Sequence, residues 1–454
     1  MPQYLSPGVY VEEVPSAVKA IAGVSTSTPG FIATINADQW TLTDVKNEAI
    51  GIGDGTETGF ELSSYPVDTT TVKIKVNGTD AAPSITVDDS QKKVLVKFIS
   101  APINKAEIRA DYTPLFKPVG VGDVKFCSNF TAFKKFFGDF SDKSGDSHTY
   151  LVHAVYGFFN NGGGSCYVSR VKEDKDVDTV LDGFARVDDI ALVAAPGRTD
   201  EDTRNKLISH CRNTGDRFAI LDGPKTIDDI TKLTKIRAES GEMPQRTDLA
   251  AWYFPWLKVK DPVKNIDIDI PPSGHVAGVY ARVDTERGVH KAPANEAILG
   301  VSGVSQPLSK SEQDKLNPKG VNCIRVLNSN ILVWGARTVG GKDNADLKYV
   351  SVRRTLLFLR ESIDEGTQWV VFEPNTPALW QKINRNVSAF LTNVWRSGAL
   401  FGATPQEAFY VKCDAETNPP ELRELGQVVT EIGVAIVRPA EFVIFRISQM
   451  APPQ

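Results

Sequence analysis

Short apolar runs rich in β-branched and aromatic positions mark the two ends of the chain. Val9-Tyr10-Val11-Glu12-Glu13-Val14 follows Pro7-Gly8, and Phe442-Val443-Ile444-Phe445-Arg446-Ile447 follows Pro439-Ala440-Glu441. Both are β-branched and aromatic and both are introduced by proline, so both predict strands. A lone strand leaves its N–H and C=O groups unpaired and pairs with whatever edge it meets. Two of them at opposite ends predict a protein that gives its ends to neighbours or one that closes on itself, and the pattern alone leaves both open.

Between the ends the period changes three times. Gly30-Phe31-Ile32-Ala33-Thr34-Ile35 predicts a buried strand. From about Asn36 to Pro118, turn formers such as Gly53-Asp54-Gly55, Asn77-Gly78 and Asp88-Asp89 punctuate alternating runs such as Thr71–Val76 and Val94–Phe98. Strands separated by turns at intervals of roughly 8–12 residues predict an inserted β-sandwich. From about Gly120 to Gly341 strands alternate with helices. The apolar run Ile190–Pro196, the amphipathic stretch Asp200–Arg212 and the run Phe218–Gly223 have βαβ spacing. That spacing predicts a parallel sheet with helices on its faces. Further strands are predicted at Ala250–Trp256 and Ile331–Gly335.

The last segment, from Ala345 on, opens with a helix. Val352, Leu356, Leu359 and Ile363 form its apolar stripe, and Arg353, Arg354, Arg360 and Glu361 are predicted on its wet side. Gly366 is predicted to end it, and Gln368-Trp369-Val370-Val371-Phe372-Glu373 to follow as a strand. Thr376 with Pro377 then marks the start of a second helix, with Leu379, Ile383, Val387, Phe390 or Leu391, and Val394 on one face. Glu421–Val437 fits both periods. Gly426 and Gly433 count against a long helix, so a short helix near Pro420–Leu425 and then a strand are predicted.

Composition narrows the chemistry. The 454 residues are 41% hydrophobic and 24% charged, with a formal net charge of −5. That is an ordinary globular balance, long enough for about two to four domains, and it argues against nucleic acid as main partner. Met1-Pro2-Gln3-Tyr4 lacks the start of a signal peptide, and no run approaches the roughly 20 apolar residues of a membrane span. Cys127, Cys166, Cys211, Cys323 and Cys413 are scattered and predict reduced thiols of a cytoplasmic product. His148, His153, His210, His275 and His290 lack metal-ligand spacing, so no metal and no cofactor are expected.

Three constellations invite a catalytic reading. Gly162-Gly163-Gly164-Ser165 resembles a phosphate-binding loop but lacks the Gly-Lys-Ser/Thr ending and precedes its strand, so it reads as a turn. Asp222, His275 and a later serine make a triad only on paper, because no serine sits in a Gly-x-Ser-x-Gly elbow. Trp252-Tyr253-Phe254-Pro255-Trp256 reads as core packing rather than a stacking platform. No catalytic residue is assigned.

Taken together, several ordered stretches resemble the contractile tail sheath proteins of phage tails and extracellular contractile injection particles. They are Leu5–Glu13, Phe158–Val168, Tyr280–Asp284 with Glu286–Asn295, Leu332–Thr338, Gln368–Asn375, Phe401–Pro405 and Pro439–Ile447. The resemblance implies an α/β multidomain tail-sheath fold. Its parts would be an N-terminal arm with the first core strands (1–35), an inserted β-sandwich on the outer surface (36–119), a subtilisin-like α/β domain (120–344), and an α+β, tube-facing C-terminal domain joined by the N-terminal arm and carrying the terminal arm strand (345–454). It further implies that Val9, Tyr10, Val11, Glu12 and Glu13, with Phe442, Val443, Ile444, Phe445, Arg446 and Ile447, are arm strands entering neighbouring subunits. The implied partners are further copies in stacked rings, an inner tube protein, and baseplate and terminator or cap proteins. Nucleic acid and membrane insertion are not implied. The particle would assemble in the bacterial cytoplasm and act as a virion tail or an extracellular device. Glu416, Glu421, Arg423 and Glu424, beside Pro419-Pro420, are candidates for breakable ion pairs with the tube, or equally an ordinary solvated helix face. The competing expectations are a soluble α/β hydrolase-like enzyme with a β accessory domain, and a structural tube that does not contract.

Overall fold

The computed structural model of the chain describes residues 20–173, 176–341 and 345–444. The arm residues Val9, Tyr10, Val11, Glu12, Glu13, Phe445, Arg446 and Ile447 lie outside the described residues. The chain divides into a larger unit, Ser25–Arg287 with Lys291–Arg353, and a smaller one that among the described residues holds 20–24, Gly288–His290 and 354–444.

In the larger unit β1 (Pro29–Thr34) leads into an all-β module of β2 (Trp40–Thr41), β3 (Val45–Ile52), β4 (Gly59–Glu61), β5 (Val67–Val76), β6 (Thr79–Ala81), β7 (Ser84–Asp88), β8 (Lys93–Lys97) and β9 (Glu107–Phe116). Every pairing is antiparallel. β9 lies against β2, β3 and β5, with β6 beyond β5, and β8 lies between β4 and β7. Alternation turns one side of each strand inward. Phe60, Leu62, Val94 and Val96 thereby share a buried cluster with Ile74, Ile108, Ala110 and Tyr112.

The chain then alternates: β10 (Lys125–Cys127), α1 (Phe130–Phe137), α2 (Asp146–Asn160), β11 (Cys166–Val171), α3 (Val177–Phe184), β12 (Leu192–Ala194), α4 (Glu201–Thr214), β13 (Phe218–Asp222), β14 (Ala250–Phe254), β15 (Leu257–Lys260), β16 (Asp267–Ile270), α5 (Ser273–Arg287), β17 (Glu296–Ala297), β18 (Gly303–Val304), α6 (Lys310–Leu316), β19 (Val321–Leu327) and β20 (Asn330–Val333). Nine strands form one sheet in the order β10-β11-β1-β12-β13-β14-β19-β20-β17, parallel from β11 to β19. Helices cover a parallel sheet on both faces, which is why its strands are continuous apolar runs rather than alternations. All five residues of β13 and all five of β14 are buried. Local signals fix the helix starts: Asp200 accepts the Thr203 N–H at 2.8 Å, and Ser309 and Glu312 cap α6 reciprocally. The three glycines after α2 form the turn into β11. α2 and α5 approach closely because Gly274 carries no side chain; a Cβ there would lie 2.3 Å from the Ala154 Cα.

α7 (Val350–Thr367) spans the boundary between the units, and the smaller unit holds α8 (Pro377–Arg396), α9 (Pro405–Ala408), β21 (Phe409–Lys412), α10 (Pro420–Glu424) and β22 (Glu431–Val434). The α8 stripe is buried as its period predicts: Leu379, Ile383, Val387, Phe390, Leu391 and Val394 share a core with Ile21, Leu359 and Trp380. Two expectations fail here. The predicted strand Gln368–Glu373 is instead a single 3₁₀ turn, Gln368–Val370, after a helix that runs through Gly366 to Thr367. Its β-branched residues have no strand beside them, and the chain reverses through Phe372 at φ 68°. Arg354, predicted on the wet side of α7, is buried along with Ser351, Thr355 and Ser362, so α7 is enclosed on more than its apolar stripe.

One buried side chain ties the all-β module to the sheet. Arg170 of β11 donates from Nε to the Val119 carbonyl at 2.6 Å and from Nη1 to those of Ile35 at 2.9 Å and Ala37 at 3.3 Å, and its Nη2 lies 3.6 Å from the Asp38 carboxylate. The entry and the exit of the module thus end on one guanidinium, whose planar fork serves several acceptors at once. At its root, Trp40 packs between the Phe116 ring (5.0 Å) and the His148 ring on α2 (4.7 Å). Arg170→Ala strands these carbonyls without a donor, and we expect it to lower unfolding stability by about 3 kcal/mol. Limited proteolysis should cut the same variant faster at 36–38 and 118–120. Wild-type stability and cutting rates would show that the clamp is dispensable.

Candidate functional site

Ligands of open α/β sheets bind at the carboxyl ends of the strands, so the ends of β12, β13 and β14 are where an enzyme of this architecture would work. Asp222 closes β13 there, and only 2% of it is exposed. Its carboxylate accepts the Gly197 N–H at 3.0 Å, the Ser273 N–H at 2.8 Å and the Ser273 hydroxyl at 2.8 Å. Its backbone carbonyl takes Arg204 Nη2 at 2.8 Å and the Trp252 indole at 3.0 Å. Burial pushes the carboxyl up to about 6, against the pull of these hydrogen bonds and of Arg204. A perturbed buried carboxylate is a catalytic signal only when it faces a reacting partner. This one joins the end of β12, the start of α5 and the side of α4, which is a structural task.

The rest of the paper triad does not converge on it. His275 packs against α2, where a Cβ on Gly157 would meet its ring at 2.2 Å, and burial and then the neighbouring His153 push its imidazole down to about 3. The aromatic run is core: Trp252, Tyr253 and Phe254 are fully buried, and the Trp256 indole donates to the Gly223 carbonyl at 2.8 Å. Among the described residues no group of three or more His, Cys, Asp or Glu gathers as a metal site, and no helix is long and apolar enough to cross a membrane.

The smaller unit offers a different kind of site, a sheet of two strands among the described residues. β21 and β22 pair antiparallel, Phe409 opposite Val434 through Lys412 opposite Glu431. Phe409, Val411, Ile432 and Val434 pack onto the α8 core. On the outer face Tyr410 lies across Gly433, where a Cβ would sit 2.1 Å from its ring. Ala435 N–H donates to Ala408 O at 2.8 Å. In an antiparallel ladder the bonded sides alternate along the strand, so the N–H groups of Ile432 and Val434 point away from β21. On the opposite edge Asn384 of α8 donates to the Val411 carbonyl at 2.8 Å. Among the described residues no strand lies beyond β22, so the open edge there belongs to it. Asn418 prepares its start, bonding Val429 at both N–H (2.7 Å) and C=O (3.0 Å) as a strand would.

The predicted residues fall around this sheet. Phe442, Val443 and Ile444 lie outside the strands of the described residues and are 71%, 69% and 78% exposed. Glu416 pairs with Lys412, Arg423 lies 5.9 Å from the Trp380 ring centre, and Glu421 and Glu424 stand exposed on α10. Asn384 and Asn418 were not anticipated. An asparagine on a helix face, or one before Pro419-Pro420, reads as solvated, and nothing local marks it as a substitute strand.

Comparisons with known proteins agree on one kind of molecule. The model of the phage tail sheath protein central domain matches residues 173–339, and that of the phage tail sheath C-terminal domain matches 342–450. A putative prophage major tail sheath protein of Pseudomonas aeruginosa is 25% identical over 287 residues, 62% of this chain and 70% of that one. The tail sheath protein of Burkholderia phage BcepMu is 28% identical over 196 residues, 41% of this chain and 40% of that one. Among solved structures, the contracted sheath complex of the PVC extracellular contractile injection system has a TM-score of 0.67 at 25% identity, covering 99% of both chains. A chain of the anti-feeding prophage baseplate has 0.66 at 25% identity, covering 99% of this chain and 100% of that one.

Buried imidazoles set the acid limit of the fold. Burial holds His148, His153 and His210 at about 4 and His275 at about 3, below the 6.5 of a free imidazole. Between pH 6.5 and about 4 the unfolded chain therefore binds protons that the folded chain refuses, and stability falls as pH falls. Asp222 opposes this: at about 6 against an ordinary 3.8, it takes up its proton in the folded state first and adds stability below pH 6. Four histidines, each costing up to about 3 kcal/mol near pH 4, outweigh one carboxyl. Calorimetry from pH 7 to 4.5 should show the unfolding temperature dropping steadily, and a flat or rising profile would contradict the burial of these imidazoles.

Proposed function

The chain belongs to the contractile tail sheath proteins, the structural subunits of phage-tail-like contractile particles, and from that premise we propose that its subunits are joined by exchanged strands. The observation that carries the proposal is the edge of β22, beyond which no strand lies among the described residues. An open strand edge is completed by adding a strand from elsewhere. Main-chain hydrogen bonds supply the strength of such a joint and ask little of sequence. The segments to be exchanged are the arms: Val9–Glu13 at one end and Phe442–Ile447 at the other. A strand of about seven residues spans roughly 23 Å, enough to cross a neighbour's sheet.

The finer reading of the fold goes with this. The α/β region corresponds to the subtilisin-like domain of sheath proteins, a likeness of shape and not of activity, in keeping with an Asp222 occupied by structural bonds. The all-β module, a β-sandwich in this reading, sits on the outer surface. Subunits stack as rings around an inner tube and end at a baseplate and a cap, assembled in the bacterial cytoplasm. The extended sheath is held kinetically, and contraction enlarges contacts between subunit bodies while the arms stay engaged. Glu416, Glu421, Arg423 and Glu424 face the tube, where exposed ion pairs of about 0–1 kcal/mol each would grip and release. The contracted-state PVC sheath supports contraction over the static-tube alternative.

Negative-stain electron microscopy tests the strand exchange on the purified full-length chain, alone and co-expressed with a tube protein. Tubes or stacked rings are expected from the full chain. A variant lacking residues 1–13 should give dispersed, folded subunits, and so should Val434→Pro, which removes an outward N–H and spares the β21 ladder. Normal assembly by both variants would overturn strand exchange.

A further inference from the structure

We propose that Cys127 and Cys166 form a thiol pair that closes into an intrachain disulfide when the protein meets an oxidising medium. β10 runs antiparallel to β11 with Lys125 opposite Val168, Phe126 opposite Tyr167 and Cys127 opposite Cys166. Cβ atoms of directly opposed residues lie about 4.5–5.5 Å apart, and a disulfide needs about 3.5–4.5 Å. Closing the bridge thus asks for a movement of an ångström or less, in an edge strand of three residues. Both thiols are fully buried, and the Cys127 thiol lies 3.8 Å from the Lys125 carbonyl of its own strand. On the other face Phe126 and Tyr167 hold the register, their ring centres 5.2 Å apart. The remaining cysteines lie on separate stretches: Cys211 on α4, Cys323 on β19 and Cys413 just after β21.

The same geometry keeps the pair reduced while the chain is made. Burial, reinforced by the neighbouring thiol, drives the Cys166 thiol well above its usual range, so the attacking thiolate is scarce. Reaction waits for β10 to lift from β11, and a short edge strand opens more easily than the sheet behind it. Once it opens, one thiol gives its proton to water and its thiolate attacks a small disulfide such as oxidised glutathione. A protein–glutathione disulfide forms and one glutathione thiolate leaves. The second cysteine, likewise deprotonated, attacks the protein sulfur of that bond and expels the second glutathione. The protein loses two hydrogens and the small disulfide is reduced to two thiols. Secreted and extracellular surroundings favour the oxidised form, the cytoplasm the reduced one. The bridge would staple the start of the α/β region, just after the all-β module, to the sheet. This inference stands on the strand register and does not depend on how subunits assemble.

The test is to incubate the full-length native protein with excess oxidised glutathione, unfold it in an alkylating agent, and map thiols and cross-links by mass spectrometry. The expected result is a Cys127–Cys166 link, with two of the five cysteines lost to alkylation, and an unfolding temperature above that of the reduced protein, reversed by dithiothreitol. Cys127→Ala and Cys166→Ala, each apolar and smaller, should keep the fold and show neither the link nor the shift. Two thiols still open to alkylation, separate glutathione adducts on each, or a link to another cysteine would overturn the pairing.

Discussion

The position of β1 is the constraint on which the larger unit depends. It lies between β11 and β12, both of which arrive more than a hundred residues later in the chain. The sheet therefore cannot close until the whole all-β module has been laid aside and the chain has returned through α1 and α2. That is a costly long-range closure, and it explains why the buried polar groups sit where they do. Arg170 collects carbonyls from both ends of the module, and Asp222 collects donors from two other returning segments. Each satisfies backbone groups that loops would otherwise bury unpaired.

Much of this was legible in the sequence, because much of it is local. Continuous apolar runs announced β12, β13 and β14, the 3.6-residue stripe announced α8, and alternation between turns announced the all-β module. The failures have one cause. Gln368–Glu373 has the composition of a strand, but a strand exists only where another lies beside it, and here a single 3₁₀ turn, Gln368–Val370, follows α7 instead. Arg354, Arg170, Asn384 and Asn418 were read as solvated or not at all, because a buried polar side chain is defined by partners distant in sequence. The pairing of Cys127 with Cys166 escaped for the same reason, since only the register of β10 on β11 brings them together.

The candidate site divides along the same line. The two end segments read as strands from composition alone, and whether they pair within the chain or with a neighbour was not readable. β22 was predicted from β-branching, but its open edge is a property of topology: β21 fills one side, with Asn384 beyond it. The acidic residues near α10 are more equivocal. All four stand exposed, but Glu416 already has Lys412 and Arg423 already has Trp380.

Edge lengths complete the argument for where subunits meet. The nine-stranded sheet ends in β10 and β17, of three and two residues, too short to template another strand. Very short edge strands are a common defence against unwanted pairing. The smaller unit differs: among the described residues its sheet has two strands, one face of it packs on α8, no strand lies beyond β22, and Phe442, Val443 and Ile444 are exposed. Under the strand-exchange proposal, that edge and those exposed residues would be the acceptor and donor a particle needs if its subunits must stay linked while their bodies rearrange.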